Sequence, residues 1–300
     1  MLFSVIIPNY NGSRFIPPLF ESLSGLTDPG VDYEFLIVDN GSTDDSLSLI
    51  ESHGAKLRNF RLLSYTEKLS SYAARNYAAR NAVGPYLVFT DVDCRPKADW
   101  LTRIVAHSEL LEAGGLLSGN VHLCPAGDEF NLYGMCDSLF YLNQFHYAKT
   151  MHGATANLAV PLATWRNVQG FSEVESGGDI DFCERVIQNG AEFRFDPDLI
   201  VDHPARECFE DLRTKAMRLG RGTAEIALRT GSRKLYWKAM SKALIGIVFP
   251  LHQIRRVFAF WTQEKPPLSV ALPLLGLSIR MGCIQRWATV TALTPARTDT

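Results

Sequence analysis

From Leu2 to about Gly114, short runs of β-branched and aromatic residues alternate with longer stretches in which apolar positions recur every three or four residues. That alternation marks βαβ units and a mainly parallel sheet. It predicts strands at Phe3 to Pro8, Glu34 to Val38, Arg61 to Tyr65 and Tyr86 to Thr90, with helices over Arg14 to Leu26, Asp44 to His53, Ser71 to Val83 and Asp99 to Ala113. Gly84-Pro85 and Gly114-Gly115 stop the last two helices. Beyond Gly115 the pattern is less regular. It predicts a strand at Leu117 to Leu123, a helix from about Glu129 to Tyr147, a loop over Lys149 to Ala156 and a strand at Asn157 to Val160. A helix from Asp179 to Asn189, strands near Phe193 to Phe195 and Leu199 to Val201, and a helix over Glu207 to Arg229 complete the pattern.

With 300 residues, 46% of them hydrophobic, the chain can build one large domain with a tail or two small ones. The overall charge of −2 hides an uneven distribution: Arg213 to Arg256 holds eleven Lys or Arg against the single acid Glu225, leaving −12 for everything else. A basic segment on an acidic body faces either solvent or an anionic surface. The tail also has uncharged runs, Ala243 to Ile254 and Pro266 to Ile279, both shorter than the roughly 20 residues of a spanning helix. Interrupted by Arg255, Arg256 and Arg280, they fit interfacial or re-entrant segments at lipid headgroups better than nucleic-acid binding. Six scattered cysteines without a C-x-x-C pair indicate neither a zinc site nor a disulfide framework, and fit a reducing cytosol. The N-terminus lacks the basic region and cleavage site of a signal peptide and reads as a first strand.

Ligands of a parallel α/β sheet bind beyond the carboxyl ends of its strands, which directs attention to Asn9 to Gly12, Asp39 to Asp44 and Asp91 to Asp93. Asp91-Val92-Asp93 offers two carboxylates that can converge on one hard cation and a diphosphate, although such a pair also occurs as solvated turn residues. In Asp39-Asn40-Gly41-Ser42-Thr43-Asp44 most residues suit a turn and a helix cap, leaving Asp39 as an acceptor for a base or ribose. Arg75, among small residues on a helix, can pair with a diphosphate or simply face solvent. Gly177-Gly178 precede Asp179 and Asp181 at a helix start, where an acid serves as a base or as a cap. His203, at a strand end, is a metal ligand or an ordinary surface histidine.

In order, these segments resemble family 2 glycosyltransferases of the GT-A fold. Ser4 to Asn11 is similar to that family's opening strand, Ile37 to Asp44 to its V-D-(D/N)-x-S-T-D turn, Ala74-Arg75-Asn76 with Gly84 to Asp93 to its A-R-N and D-x-D segments, and Gly177 to Arg185 to its late acidic helix. The resemblance covers about Phe3 to Gly222 and implies an α/β GT-A fold: a mainly parallel, Rossmann-like sheet, an acceptor-side half and a helical, basic, apolar C-terminal tail. The expected divisions are residues 1–205 for the transferase domain, split into a nucleotide-sugar half (1–115) and an acceptor half (116–205), and 206–300 for the tail. The resemblance implies that Pro8, Asn9 and Tyr10 line the nucleotide pocket, Asp39 accepts from the base, and Arg75 and Asp91 contact the donor. Asp91, Asp93 and His203 would hold Mg²⁺ or Mn²⁺, and Arg218 and Arg221 would close over the diphosphate. Asp179 would take the acceptor proton, with Asp181 in reserve, because Gly178 stands where a glutamate is usual.

The expected function is inverting transfer from a nucleotide-diphosphate sugar to a glycan, lipid-linked or polysaccharide-precursor hydroxyl, at the cytoplasmic face of a membrane and without nucleic acid. A non-catalytic nucleotide-sugar-binding or scaffold protein is the alternative. Phosphatases with a strand-end D-x-D want Thr or Val shortly after it, which Cys94-Arg95-Pro96 does not supply. Nucleotidyltransferases want a glycine-rich basic loop after the first strand, and Asn9 to Arg14 is not one.

Overall fold

The structure is a computed structural model that describes residues 2–229 and 231–294. Its strands are β1 (Leu2–Asn9), β2 (Asp32–Asp39), β3 (Phe60–Ser64), β4 (Tyr86–Phe89), β5 (Arg95–Pro96), β6 (Leu116–Cys124), β7 (Leu158–Pro161) and β8 (Phe193–Pro204). They form one sheet in the order β3-β2-β1-β4-β7-β6-β8-β5. The first four strands run parallel, and β7 reverses direction against β4. The near-continuous apolar runs of β1 and β2 follow from burial on both faces: Val5, Ile6, Ile7, Leu36, Ile37 and Val38 are fully buried.

The first nine helices are α1 (Ile16–Ser24), α2 (Ser46–Gly54), α3 (Ser71–Asn81), α4 (Trp100–Ala106), α5 (Ser108–Glu112), α6 (Leu132–Phe140), α7 (Gln144–Ala148), α8 (Leu162–Asn167) and α9 (Gly178–Gln188). The tail contributes α10 (Phe209–Arg229), α11 (Arg233–Val248), α12 (Leu251–Glu264) and α13 (Leu268–Leu293). The chain divides into two compact units. The first holds the sheet and comprises residues 2–123, 144–173 and 178–204; the second is helical and comprises 124–143, 174–177, 205–229 and 231–294. The core of the second unit gathers Cys136 and Tyr141 with Leu212, Ala216, Val257, Leu274 and Met281. This packing gives 124–143 to the helical unit, whereas the sequence groups those residues with the sheet.

Several elements depart from the periodicity. The single helix expected over Glu129 to Tyr147 is two, α6 and α7, broken where Tyr141 turns into the helical core and the chain passes to the first unit. The two strands expected around Pro197 are one strand, since its pairing to β5 uses Val201 and Asp202 and spares the proline. The run from Pro266 counted only uncharged residues, but the helix continues through Arg280 and Arg286 for 26 residues. By length and composition α13 can cross a membrane, and α11 with α12, bent by 58°, form a second candidate for a broken or re-entrant span.

Candidate active site

Parallel pairing puts the last residues of β1 and β2 level, Asn9 beside Asp39. Asn9 Nδ2 donates to Asp39 Oδ1 at 2.9 Å and to Ser42 Oγ at 3.0 Å. Asp39 also accepts from Ser42 Oγ at 2.6 Å and from the Gly41 and Ser42 amides at 3.1 and 3.0 Å. These donors fill the lone-pair sites of a carboxylate, so Asp39 fastens the turn in which Gly41 takes φ +83°. Tyr10, directly after β1, is 47% exposed.

Two partnerships form where β4 ends. Asp91 takes a direct ion pair from Arg75, whose side chain is buried on α3. Asp93 Oδ2 lies 3.3 Å from His203 Nε2. The second follows from β5, the two-residue strand directly after Cys94: its antiparallel register, Arg95 opposite Asp202, brings His203 back to the end of β4. His203 Nδ1 lies 2.7 Å from the Pro204 carbonyl; with the ring proton on Nδ1 that carbonyl accepts a hydrogen bond, and Nε2 is the nitrogen turned toward Asp93. Cys94 Sγ belongs to the same cluster as the Asp91 and Asp93 carboxylates. Burial, reinforced by those two carboxylates, raises its thiol pKa well above the usual range and keeps it protonated. The Asp91 and Asp93 carboxylates lie close enough together to share one hard cation such as Mg²⁺ or Mn²⁺, and His203 stands beside that pair through Asp93.

The third acid reaches this region through α3. Tyr72, one turn before Arg75, donates its hydroxyl to Asp179 Oδ1 at 3.1 Å, and the Arg75 guanidinium lies 5.5 Å from the Tyr72 ring centre. Removal from water raises the Asp179 pKa, while the hydrogen bonds of Tyr72 and the Ile180 amide and the field of Arg75 pull it back. Gly178 fits here because a Cβ would stand 2.6 Å from the Ser172 carbonyl and 3.0 Å from the Tyr72 ring. A longer side chain at this position would displace that tyrosine.

Asp181 is differently placed. Its Oδ2 accepts from Ser172 Oγ at 2.7 Å and from Arg185 Nε and Nη2 at 3.0 and 2.8 Å. Arg185 also donates to the carbonyls of Val168 and Gly170. Arg218 and Arg221 lie on α10 in the helical unit, where Arg221 forms a two-pronged pair with Glu175 at 2.7 and 2.5 Å. Two residues that the motifs left without a role, Tyr72 and Asn76, prove central: Asn76 exchanges hydrogen bonds with the Phe171 backbone at 2.8 and 2.9 Å and fixes the segment before α9. Their spacing from Arg75 on one helix was the available signal.

The family model described as glycosyl transferase family 2 matches residues 4–152. A glycosyltransferase of Haloferax volcanii, AglE, is 33% identical over 233 residues, covering 74% of this chain and 73% of that protein. Among solved structures, the Pyrobaculum calidifontis mannosyltransferase PcManGT in complex with GDP-Man and Mn²⁺ aligns with a TM-score of 0.62 at 16% identity, over 97% of this chain and 85% of that one. Residues 1–349 of Staphylococcus aureus TarS, bound to UDP-GlcNAc, align with a TM-score of 0.55 at 21% identity, over 97% and 90%.

Proposed function

This chain belongs to glycosyl transferase family 2 and is a glycosyltransferase of GT-A fold, and from that premise we propose inverting, cation-dependent transfer of a sugar from a nucleotide-diphosphate donor to an acceptor hydroxyl. The observation that carries the reading is the junction at α3. Arg75 holds Asp91 beside the Asp93–His203 pair, while Tyr72 on the same helix holds Asp179. GDP-Man and UDP-GlcNAc in the structural neighbours support a nucleotide sugar as the donor class.

Asp91, Asp93 and His203 would hold Mg²⁺ or Mn²⁺, which supplies Lewis-acid stabilisation of the departing diphosphate. Arg75, buried and already paired with one of those carboxylates, adds a fixed positive charge on the donor side. Pro8, Asn9 and Tyr10 form the wall for the base, with Tyr10 offering an exposed ring face and Asp39 keeping Asn9 and the Gly41 turn in place. Asp179 receives the acceptor proton as the oxygen attacks. Its withdrawal from water makes it a better base than a solvated carboxylate, and the Tyr72 hydroxyl orients it. Asp181, engaged by Arg185 and Ser172, supports the helix rather than the reaction.

We assign residues 1–205 to transfer, with 1–115 on the donor side and 116–205 on the acceptor side, and 206–300 to attachment at the cytoplasmic face of an anionic membrane, where a glycan or lipid-linked acceptor is presented. Calorimetric titration with UDP and GDP, with and without Mn²⁺, tests the cation site. Asp93→Ala and His203→Gln should each remove the Mn²⁺-dependent part of nucleotide binding and of turnover. Unchanged Mn²⁺ dependence in Asp93→Ala defeats the assignment. Screening nucleotide sugars for donor hydrolysis then identifies base and sugar.

A further inference from the structure

Strands β6 and β8 are neighbours in the sheet, and the Ala205 amide, donating to the Cys124 carbonyl at 2.8 Å, holds their ends level. Those ends carry a second group of ligand-type side chains, separate from the one at Asp91 and Asp93. His122 and Cys124 stand two positions apart on β6, so both leave the same face of the strand. Asp202 on β8 meets them. His122 Nδ1 lies 3.0 Å from Asp202 Oδ1, and one ligand atom from each of the three residues lies within 4.8 Å of the others. Bonds of about 2.0–2.3 Å to a tetrahedral ion set its ligands roughly 3.3–3.8 Å apart, so small side-chain rotations close this nitrogen, sulfur and oxygen on one ion. A search for paired cysteines passes over the group, because the sheet assembles it from residues 80 positions apart.

We propose that His122, Cys124 and Asp202 bind a borderline-soft divalent cation of the Zn²⁺ class, at a site distinct from the hard-cation site at Asp91 and Asp93. The donors select the metal: a cysteine thiolate with an imidazole favours Zn²⁺, whereas Mg²⁺ and Mn²⁺ prefer oxygen. Cys124 is a thiol rather than half of a disulfide, and it is half-buried. Asp202 divides its two oxygens, Oδ2 accepting from Lys97 Nζ at 2.5 Å while Oδ1 faces His122. The Lys97 side chain is 48% exposed, so water screens its charge from an ion at the other oxygen. Side chains alternate along a strand, so Asp202 leaves β8 on the face opposite to that from which His203 reaches Asp93. A cation joining β6 to β8 at this point braces the backbone that presents His203. Its role is structural, and it binds with or without a nucleotide, independently of the sugar-transfer reading.

The test uses full-length protein, stripped of metal by dialysis against chelator under a reductant and then titrated with Co²⁺ in excess Mg²⁺. A thiolate-to-cobalt charge-transfer absorption should grow in at about one equivalent per chain. Zn²⁺ should bleach it, and further Mg²⁺ should not. Cys124→Ser should abolish the band, whereas Cys94→Ser, which removes the thiol beside Asp91 and Asp93, should retain it. His122→Gln, at a side chain 61% exposed, should weaken Co²⁺ binding by at least the roughly 10–100-fold that follows loss of a hydrogen-bond partner of a metal ligand. Lys97→Met removes a like charge from beside the ion and should tighten binding. Zn²⁺ should raise the thermal midpoint of the wild-type protein and leave that of Cys124→Ser where it was. Absence of the band, a band that survives Cys124→Ser or vanishes with Cys94→Ser, bleaching by Mg²⁺ as readily as by Zn²⁺, or an affinity indifferent to both His122→Gln and Lys97→Met overturns the proposal.

Discussion

Asp179 and Asp181 share the first turn of α9, yet their neighbours set them to different tasks. The Asp181 carboxylate is spent on Arg185 and Ser172, and the Arg185 guanidinium on the carbonyls of Val168 and Gly170. Asp181→Asn should therefore cost about 1–3 kcal/mol of stability in chemical denaturation and leave transfer by the folded protein near normal. Asp179→Asn should lower kcat by roughly 10²–10⁴-fold while nucleotide binding persists. The pH profile provides an independent check. A general base acts deprotonated, so activity falls as pH drops through its pKa. Burial raises that pKa, placing the acid limb of kcat/KM above the roughly 3.9 of a free aspartate. Tyr72→Phe removes a hydrogen bond that favours the charged carboxylate, and the limb should move to still higher pH. A limb unmoved by that substitution would mean that another group is titrating. The residues themselves hold the clue to this division, since Arg185 stands four positions after Asp181, the spacing of a helical ion pair. The hydroxyl that selects Asp179 comes from 107 positions away, and no local pattern announces it.

At the scale of elements, β1, β2, β4 and α3 were legible because each carries a local signal: apolar runs for strands buried on both faces, and the Gly84-Pro85 stop after the helical stretch of α3. What escaped was set by tertiary pairing. The two-residue β5 has no sequence signature, yet its register with β8 is what delivers His203 to Asp93. Helix α8 is a six-residue turn after β7 that no window of helical length could detect. The segment between α8 and α9 is likewise irregular and held from outside: Asn76 pairs with Phe171, and the Phe171 ring centre lies 4.4 Å from that of Phe182 on α9 and 5.0 Å from that of Phe89 on β4. Asn76→Ala breaks the polar half of this clamp and leaves buried Phe171 backbone groups unpaired. Stability should fall by about 1–3 kcal/mol, and transfer should fall further than nucleotide binding, because the acceptor base is carried on the displaced helix. Proportional loss of both would show that the clamp serves the donor pocket instead.

In the molecule as a whole, α11 and α12 carry cationic charge and exposed apolar surface together. Trp237, Leu244, Ile245, Val248, Phe249, Leu251 and Phe258 along α11 and α12 are all more than 40% exposed, far beyond the scatter of single apolar residues on a soluble surface. The same two helices carry Lys238, Lys242, Arg255 and Arg256, with Glu264 as their single acid. An apolar elbow at Val248 to Leu251 flanked by cations fits insertion among anionic headgroups, where each cation near the surface contributes about 1 kcal/mol. Apolar and ionic contributions separate experimentally. Val248→Asn with Phe249→Asn should weaken sedimentation with both phosphatidylcholine and phosphatidylglycerol vesicles. Lys238→Gln with Lys242→Gln should weaken only the latter, and added salt should erase the difference between the two lipids. Nucleotide-sugar hydrolysis in solution should be untouched by either pair, since these helices belong to the helical unit and the proposed catalytic side chains to the unit that holds the sheet. Vesicle binding that ignores both pairs would leave α13, long and apolar enough to span, as the anchor in place of the elbow.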